Sequence, residues 1–429
     1  MKLTFHRLIF WGHLIIGLVA GVAILSMAVT GLMISYEAQL LEWANRDLRV
    51  TPPAGGAARL DIETLMAKVH ETKPELQPSG ITWKADPTMP VTLSAGRENV
   101  FYANPYTGQL LGEGNHAWHD FFHAATDWHR FLTGTGLPKE VGKAITGAGC
   151  LIFGLLLLSG IYLWWPRHWR WANVRAVILL NPRLRGRVRN WNWHNVFGFW
   201  SAFPLLLIIL TGLIMSYGWA NNLLFTLTGN VPPPPRERPA GGNPREGGPR
   251  GNGERRPEGA PGMGRPEGGG QRGPGGPREG SPAGPPPSLA GLEPLLVEAR
   301  QQIHNWASMS LRMPTKPGDP FPLMVDRGGR GEVQLRSMLN LDVAQGKVLP
   351  SPDDLQQQNL GRRLRMYARY LHTGELFGLI GQTVAALSTV ATIMLVWTGF
   401  ALAFRRFFPK RGHAAPAPEA TVSASGTAS

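Results

Sequence analysis

Four long uncharged runs govern what this chain can fold into. Leu8 to Tyr36, Ala144 to Trp165, Trp191 to Tyr217 and Leu376 to Phe404 contain no Asp, Glu, Lys or Arg, and each reaches the roughly 20 residues that an α-helix needs to cross a bilayer. In hydrocarbon the backbone must satisfy its own hydrogen bonds, so runs of this kind predict four membrane-spanning helices and exclude a soluble enzyme. The first run is well beyond the roughly 7–15 residues of a secretory h-region, and no A-x-A site follows Tyr36, so it reads as a retained helix. The single cysteine, Cys150, lies inside the second run. Disulfides, CxxC redox chemistry and Cys-ligated zinc or iron–sulfur centres are therefore excluded.

Orientation follows from the basic residues. Between the second and third runs lie Arg167, Arg170, Arg175, Arg183, Arg185, Arg187 and Arg189, with no acidic residue among them. A short loop of that kind is a cytoplasmic signal. Lys2 and Arg7 before the first run, and Arg405, Arg406, Lys410 and Arg411 after the fourth, predict that both termini are cytoplasmic too. The two long connections then lie outside. The formal charge of +14 is accounted for by this topology and by an Arg-dotted linker, so no nucleic-acid partner is required.

Each external connection predicts a small α+β module. In residues 37–128, Ile62, Leu65, Met66 and Val69 have helical spacing, followed by the strand-length runs ITWKA, VTLSA and NVFYANPYTGQLLG and by an interfacial helix. Asn104 to Gly108 reads as a turn. Residues 288–365 repeat the order, with a helix from Leu292 to Trp306 and then PLMVDR, VQLRSMLNLD and AQGKVLP. Between them, 231–287 is almost wholly Gly, Pro, Arg and Glu and is expected to be a disordered tether. The expected segments are thus spans at 8–36, 129–166 with a lead-in, 191–217 and 366–405, a basic loop at 167–190 and a tail at 406–429.

The spans repeat as well. A constant offset places His13 on His194, Gly17 on Gly198, and Thr30-Gly31-Leu32-Met33-Ile34-Ser35-Tyr36 on Thr211-Gly212-Leu213-Ile214-Met215-Ser216-Tyr217. Less closely, His129 and His372 each precede an uncharged run that passes Ser159-Gly160 or Thr398-Gly399. Two halves running in the same direction would set His13 opposite His194 inside and His129 opposite His372 outside. Intramembrane ionisable groups are costly and usually functional, and imidazoles on facing helices are fit to hold a b-type haem at both axial positions. The absence of C-x-x-C-H makes any such haem noncovalent. A proton path would need carboxylates within the runs, and there are none. His116, His119 and His123, with Asp120 or Asp127, have the spacing for an external zinc site, although the same residues also suit the polar face of an interfacial helix. His123 stays an alternative ligand for the outer haem.

The segments NPYTGQLLGE, DWHRFL, SGIYLWWPR and HNVFGFW...LTGLIMSY resemble the PepSY-associated transmembrane proteins, iron-regulated proteins of the bacterial inner membrane, over nearly the full chain. The resemblance implies a four-helix membrane core with two periplasmic PepSY-like α+β modules. It also implies a di-haem reductase that releases iron from a ferric siderophore in the periplasm; the sequence does not identify the electron donor, a quinol or a cytoplasmic reductase. His13 and His194 would ligate the inner haem and His129 and His372 the outer one, with Arg130 and Arg369 placed to neutralise haem propionates. A PepSY scaffold without a cofactor, and a quinol-linked relay with another acceptor, are the alternatives.

Overall fold

A computed structural model describes residues 4–408 except 57, 97, 98, 166–169, 234–286, 315 and 330. The expected tether, apart from 231–233 and 287, and the expected tail from 409 onward lie outside the described residues. The chain runs α1 (Phe5–Ile34), α2 (Glu37–Ala44), α3 (Ile62–Thr72), β1 (Gly80–Lys84), β2 (Val91–Ala95), β3 (Asn99–Ala103), β4 (Leu110–Glu113), α4 (His116–Phe131), α5 (Lys139–Trp164), α6 (Trp171–Ile178), α7 (Gly186–Ser216) and α8 (Gly218–Leu227). It continues through α9 (Leu292–Gln302), β5 (Ser308–Arg312), β6 (Phe321–Asp326), β7 (Arg336–Asp342), β8 (Lys347–Pro350), α10 (Leu360–Thr373) and α11 (Gly378–Phe407).

Helices α1, α5, α7 and α11 are long and apolar enough to cross a membrane. The protein is a multi-pass membrane protein. Each of the four packs on two others, α1 and α7 both touching α5 and α11, so that α1 and α7 stand at diagonal corners of the bundle. Hydroxyls inside the spans are satisfied by their own helix, as where Thr211 Oγ1 donates to Leu207 O at 2.7 Å and Ser201 Oγ to Phe197 O at 2.6 Å. Such bonds let polar groups sit in hydrocarbon at little cost.

The lead-ins to α5 and α11 are separate helices. Asn115 caps α4 by accepting from Trp118 N, and α4 stops at Leu132, which takes a left-handed conformation. Asn359 caps α10 in the same way from Arg362 N, and α10 stops at Gly374, with φ of 77°. A side chain at Gly374 would run into the carbonyl of Gly381 on α11, so the turn back into the bundle needs glycine. The lead-in expected before the second span is the end of α4, the span expected at 366–405 is broken after Thr373, and His129 and His372, expected to precede the uncharged runs, end these short helices.

The two expected modules are not separate. Their strands form one antiparallel sheet of eight strands in the order β4-β3-β2-β1-β5-β6-β7-β8, joined where β1 pairs β5 from Gly80 with Arg312 to Lys84 with Ser308. The joining strand β5 was not among the strands expected, and the helix expected to reach Trp306 ends at Gln302. Strand β5 has only Met309 and Leu311 as apolar residues, too short a pattern to mark a strand until its partner in the other module is known. Helices α3 and α9 cover one face of the sheet, burying Leu65, Val69, Leu292 and Leu296 against Ile81, Leu93, Leu311, Leu323 and Leu341 in one core. Their first turns cap each other: Glu293 accepts from Ile62 N at 3.0 Å and Glu63 from Gly291 N at 3.1 Å.

Candidate functional site: two histidine pairs in the bundle

His13 sits in the third turn of α1 and His194 in the third turn of α7, at the end of the bundle away from the sheet. Their rings face each other with centroids 6.4 Å apart and planes at 85°. Each ring is held by the helix beside it. The hydroxyl of Ser159 on α5 donates to Leu156 O at 3.0 Å, so its oxygen accepts from His13 Nδ1 at 2.8 Å. Likewise Thr398 Oγ1 on α11 donates to Met394 O and accepts from His194 Nδ1 at 2.9 Å. The next residue in each case is a glycine against the ring: a Cβ at Gly160 would lie 3.5 Å from His13 Cε1, and one at Gly399 3.6 Å from His194 Cε1.

The second pair lies toward the sheet. His129 ends α4 and His372 ends α10, and their rings are again 6.4 Å apart, with planes at 62°. Here Nδ1 donates to a backbone carbonyl, that of Met27 for His129 and that of Ile208 for His372, both at 2.9 Å. Thr30 and Thr211 are within 3.2 and 3.3 Å of the same nitrogens, and a Cβ at Gly31 or Gly212 would stand 3.2 Å from the ring. The offset that aligned the first and third runs maps Met27, Thr30 and Gly31 onto Ile208, Thr211 and Gly212.

All four imidazoles thus commit the Nδ1 proton to the protein, which leaves Nε2 with a free lone pair, the tautomer a metal requires. A metal–imidazole bond of about 2.0–2.1 Å, with roughly 1.1 Å from nitrogen to ring centre, would hold two rings on one ion about 6.3 Å apart. Both pairs have that spacing. Among the described residues no group of three or more His, Cys, Asp or Glu could hold a metal ion, and Cys150 is turned toward Ile209 O. Two imidazoles alone leave most of a metal's coordination empty. The arrangement fits an ion whose remaining donors come from a flat macrocycle, which is what a b-type haem offers.

The other expected site residues are placed as follows. Arg130 and Arg369 are exposed, lie over the rings of Phe131 and Tyr370, and make no ion pair among the described residues. His123 is exposed on α4, away from the pair. His116 is bonded to Glu113 instead of joining His119. Burial, and then the neighbouring His116, pushes the His119 imidazole below its ordinary value, and its Nε2 has no partner. The zinc cluster is not assembled.

The residues that sequence reasoning missed are the seats of the histidines. Thr30-Gly31, Ser159-Gly160, Thr211-Gly212 and Thr398-Gly399 were visible as marks of the repeat, and a hydroxyl residue followed by glycine at matching places in paired runs was the available signal. A second element missed is the tie between sheet and bundle: Arg336 on β7 donates to buried Asp326 at 2.8 Å and to Tyr370 OH on α10 at 2.6 Å, two residues from His372. The pattern of the PepSY-associated transmembrane region matches residues 10–406. No curated protein matches the chain.

Proposed function

Because this chain belongs to the PepSY-associated transmembrane family, we propose that it is a di-haem b reductase of the bacterial inner membrane. In this reading both termini are cytoplasmic, the sheet is periplasmic, and the two halves are related by a two-fold axis along the membrane normal. His13 and His194 hold the inner haem and His129 and His372 the outer one. The carrying observation is that both pairs have the spacing of two imidazoles on one metal, each with Nδ1 already committed.

Haem supplies reversible one-electron exchange at its iron. The protein's part is to hold the rings. Ser159, Thr398 and the carbonyls of Met27 and Ile208 keep the Nδ1 protons in place, which raises ligand basicity and fixes ring orientation. The small residues Gly31, Gly160, Gly212 and Gly399 let each ring lie against backbone. Eighteen residues separate His13 from Gly31, and likewise His194 from Gly212, so the two levels are about 27 Å apart along the helices. That distance spans most of the hydrocarbon core. The donor is a quinol or a cytoplasmic reductase, and the acceptor is a ferric siderophore or similar ferric chelate. One electron converts the chelated ferric ion to ferrous iron, which oxygen chelators bind more weakly and release. Arg130 and Arg369 flank the outer pair as partners for haem propionates.

Purified protein is expected to carry two noncovalent haems per chain and, when reduced, to release ferrous iron from a ferric chelate in the presence of a ferrous-specific trap. Colourless protein from haem-replete cells would instead favour a PepSY scaffold. Two haems without ferrous iron release would favour a quinol-linked relay to another acceptor.

A further inference from the structure

Helices α4 and α10 seat the outer histidines in the same way, yet they carry opposite charge. Each is capped by an asparagine, each has its histidine in the last turn, and each histidine donates to a carbonyl of a neighbouring span. Over its length α10 has Arg362, Arg363, Arg365 and Arg369 and no acidic residue, whereas α4 has Asp120 and Asp127 against Arg130. Aligned at the histidines, Asp120 falls where α10 has Arg363. Holding an imidazole in place does not require the arginines, because α4 does it without them. Topology does not require them either: in the proposed orientation α10 is external, and arginine beside a span is favoured on the cytoplasmic side.

All four of these arginines are exposed. Arg362, Arg365 and Arg369 are three and four residues apart and share one face of α10, with Arg363 beside them. Among the described residues none makes an ion pair: Arg362 donates to Gln358 Oε1 at 2.9 Å, and Arg369 lies over the Tyr370 ring. The nearest acids in sequence are engaged elsewhere, Asp354 accepting from Met338 N and Gln356 N, both at 2.8 Å, and Glu375 from Thr373 Oγ1 at 3.3 Å. Residues 234–286 hold nine arginines and six glutamates, so that segment is itself net basic. Arg365 stands seven residues before His372 and Arg362 ten, about 10 and 15 Å along the helix. Exposed cations strung along a helix that leads to the outer pair raise the local concentration and the arrival rate of a negatively charged solute.

We propose that Arg362, Arg363 and Arg365 form an anion-selecting face that favours ferric chelates of net negative charge and guides them to the outer histidine pair. This rests on the reductase reading and adds to it the charge class of the acceptor. Carboxylate-rich chelates fit such a face, and neutral hydroxamate chelates gain nothing from it. The arginines act on arrival and binding, so they move KM and leave kcat unchanged. A lipid phosphate offers the same anionic oxygens, so the test separates the two sources.

The test uses the full chain, purified with haem and placed in nanodiscs of phosphatidylcholine, which carry no net charge. Ferric citrate is the anionic probe, and ferrichrome, a neutral hydroxamate chelate, is the control. The variant combines Arg362→Gln, Arg363→Gln and Arg365→Gln, which keeps long helix-forming side chains and leaves Arg369 in place. Its KM for ferric citrate is expected to rise about tenfold, the scale of three exposed charge pairs acting together. Its KM for ferrichrome should stay within about twofold of the wild-type value, since no charge is involved. Added salt should raise the citrate KM of the wild type far more than that of the variant. Binding of gallium citrate, which matches the charge of the ferric complex and takes up no electron, needs no turnover and should weaken by the same factor. An unchanged citrate KM overturns the proposal. So does a rise shared by ferrichrome, which marks damage to the outer site instead of charge selection. If phosphatidylglycerol co-purifies with the wild type but not with the variant, and citrate binding is the same in both, the face belongs to lipid headgroups. A difference that emerges only after residues 236–281 are removed assigns the face to glutamates of that segment. A chain that binds gallium citrate through these arginines but reduces neither chelate overturns the reductase reading and leaves the anion face standing.

Discussion

The two histidine pairs have the same separation, yet they are built differently. At the level away from the sheet, both rings project from helices that cross the membrane, and the Nδ1 acceptors are hydroxyls on the neighbouring spans, Ser159 and Thr398. At the level near the sheet, both rings come from short helices outside the spans and donate to the backbone of α1 and α7. The first pair is positioned by helix packing alone. The second depends on how α4 and α10 are held between sheet and bundle, so a disturbance of the sheet should reach it first.

The ties that hold those two short helices differ as well. Helix α10 is held by the ion pair of Asp326 with Arg336, whose guanidinium also donates to Tyr370 OH. Among the described residues helix α4 is held to the sheet only at its start and by more exposed groups: His116 bonds Glu113 at the end of β4, Asn45 Oδ1 accepts from Asn115 N at 2.7 Å, and Asn45 Nδ2 reaches Tyr102 OH only at 3.5 Å. His372 is thus linked to the sheet through a buried ion pair two residues away, and His129 through exposed contacts at the opposite end of its helix.

The largest effect expected tests whether the pairs are pairs at all. Under the di-haem proposal, His13→Ala, His194→Ala and the double variant should each lose the same one haem of two, and His129→Ala and His372→Ala should share the loss of the other. His13→Ala with His372→Ala should be nearly haem-free. Extracted haem per chain is the measurement. Loss of different haems by His13→Ala and His194→Ala would break the pairing.

What the sequence disclosed and what it hid divide along the same line. The four spans, the turn at Asn104 to Gly108 and the facing of His13 with His194 were legible because they depend on local periodicity and a constant offset. Asn104 Oδ1 does accept from Tyr106 N, and Gly108 has the positive φ expected of it. Strand β5, the breaks before α5 and α11, and the Arg336 tie were hidden, since each is defined by a partner far away in sequence. The seats at Thr30, Ser159, Thr211 and Thr398 fall between: the residues were singled out, but not the helix to which each gives its oxygen.

A smaller effect is expected from cutting the charged tie. Arg336→Met leaves Asp326 buried without that cation, and breaking a buried pair in this way costs about 3–5 kcal/mol. The side chains are only 14% and 7% exposed, so solvent screens them little. Thermal unfolding should shift down. Among the haems, the spectrum of the one removed by His372→Ala should broaden while the other stays sharp. Asp326→Asn combined with Arg336→Met should recover part of the stability, because no unpaired charge remains. An equal response from both haems would show that the two levels are not mechanically distinct.

The smallest effect bears on the acceptors themselves. Ser159→Ala or Thr398→Ala removes the oxygen to which His13 or His194 donates. At His13 a buried N–H is then left open at a cost of about 1–3 kcal/mol, and the loss of such a partner typically weakens metal binding about 10–100-fold, whereas at His194 the nearby Leu395 backbone makes the effect of Thr398→Ala smaller. Thr30→Ala and Thr211→Ala are chemically the same change at the other level, but the carbonyls of Met27 and Ile208 remain at 2.9 Å to accept the proton. Their haem should therefore dissociate within about threefold of the wild-type rate, a difference of under about 1 kcal/mol. Haem transfer rates for the four variants decide the matter. If Thr30→Ala releases haem as fast as Ser159→Ala does, the hydroxyl and not the carbonyl is the working acceptor at both levels, and the contrast between the two pairs reduces to where their helices lie.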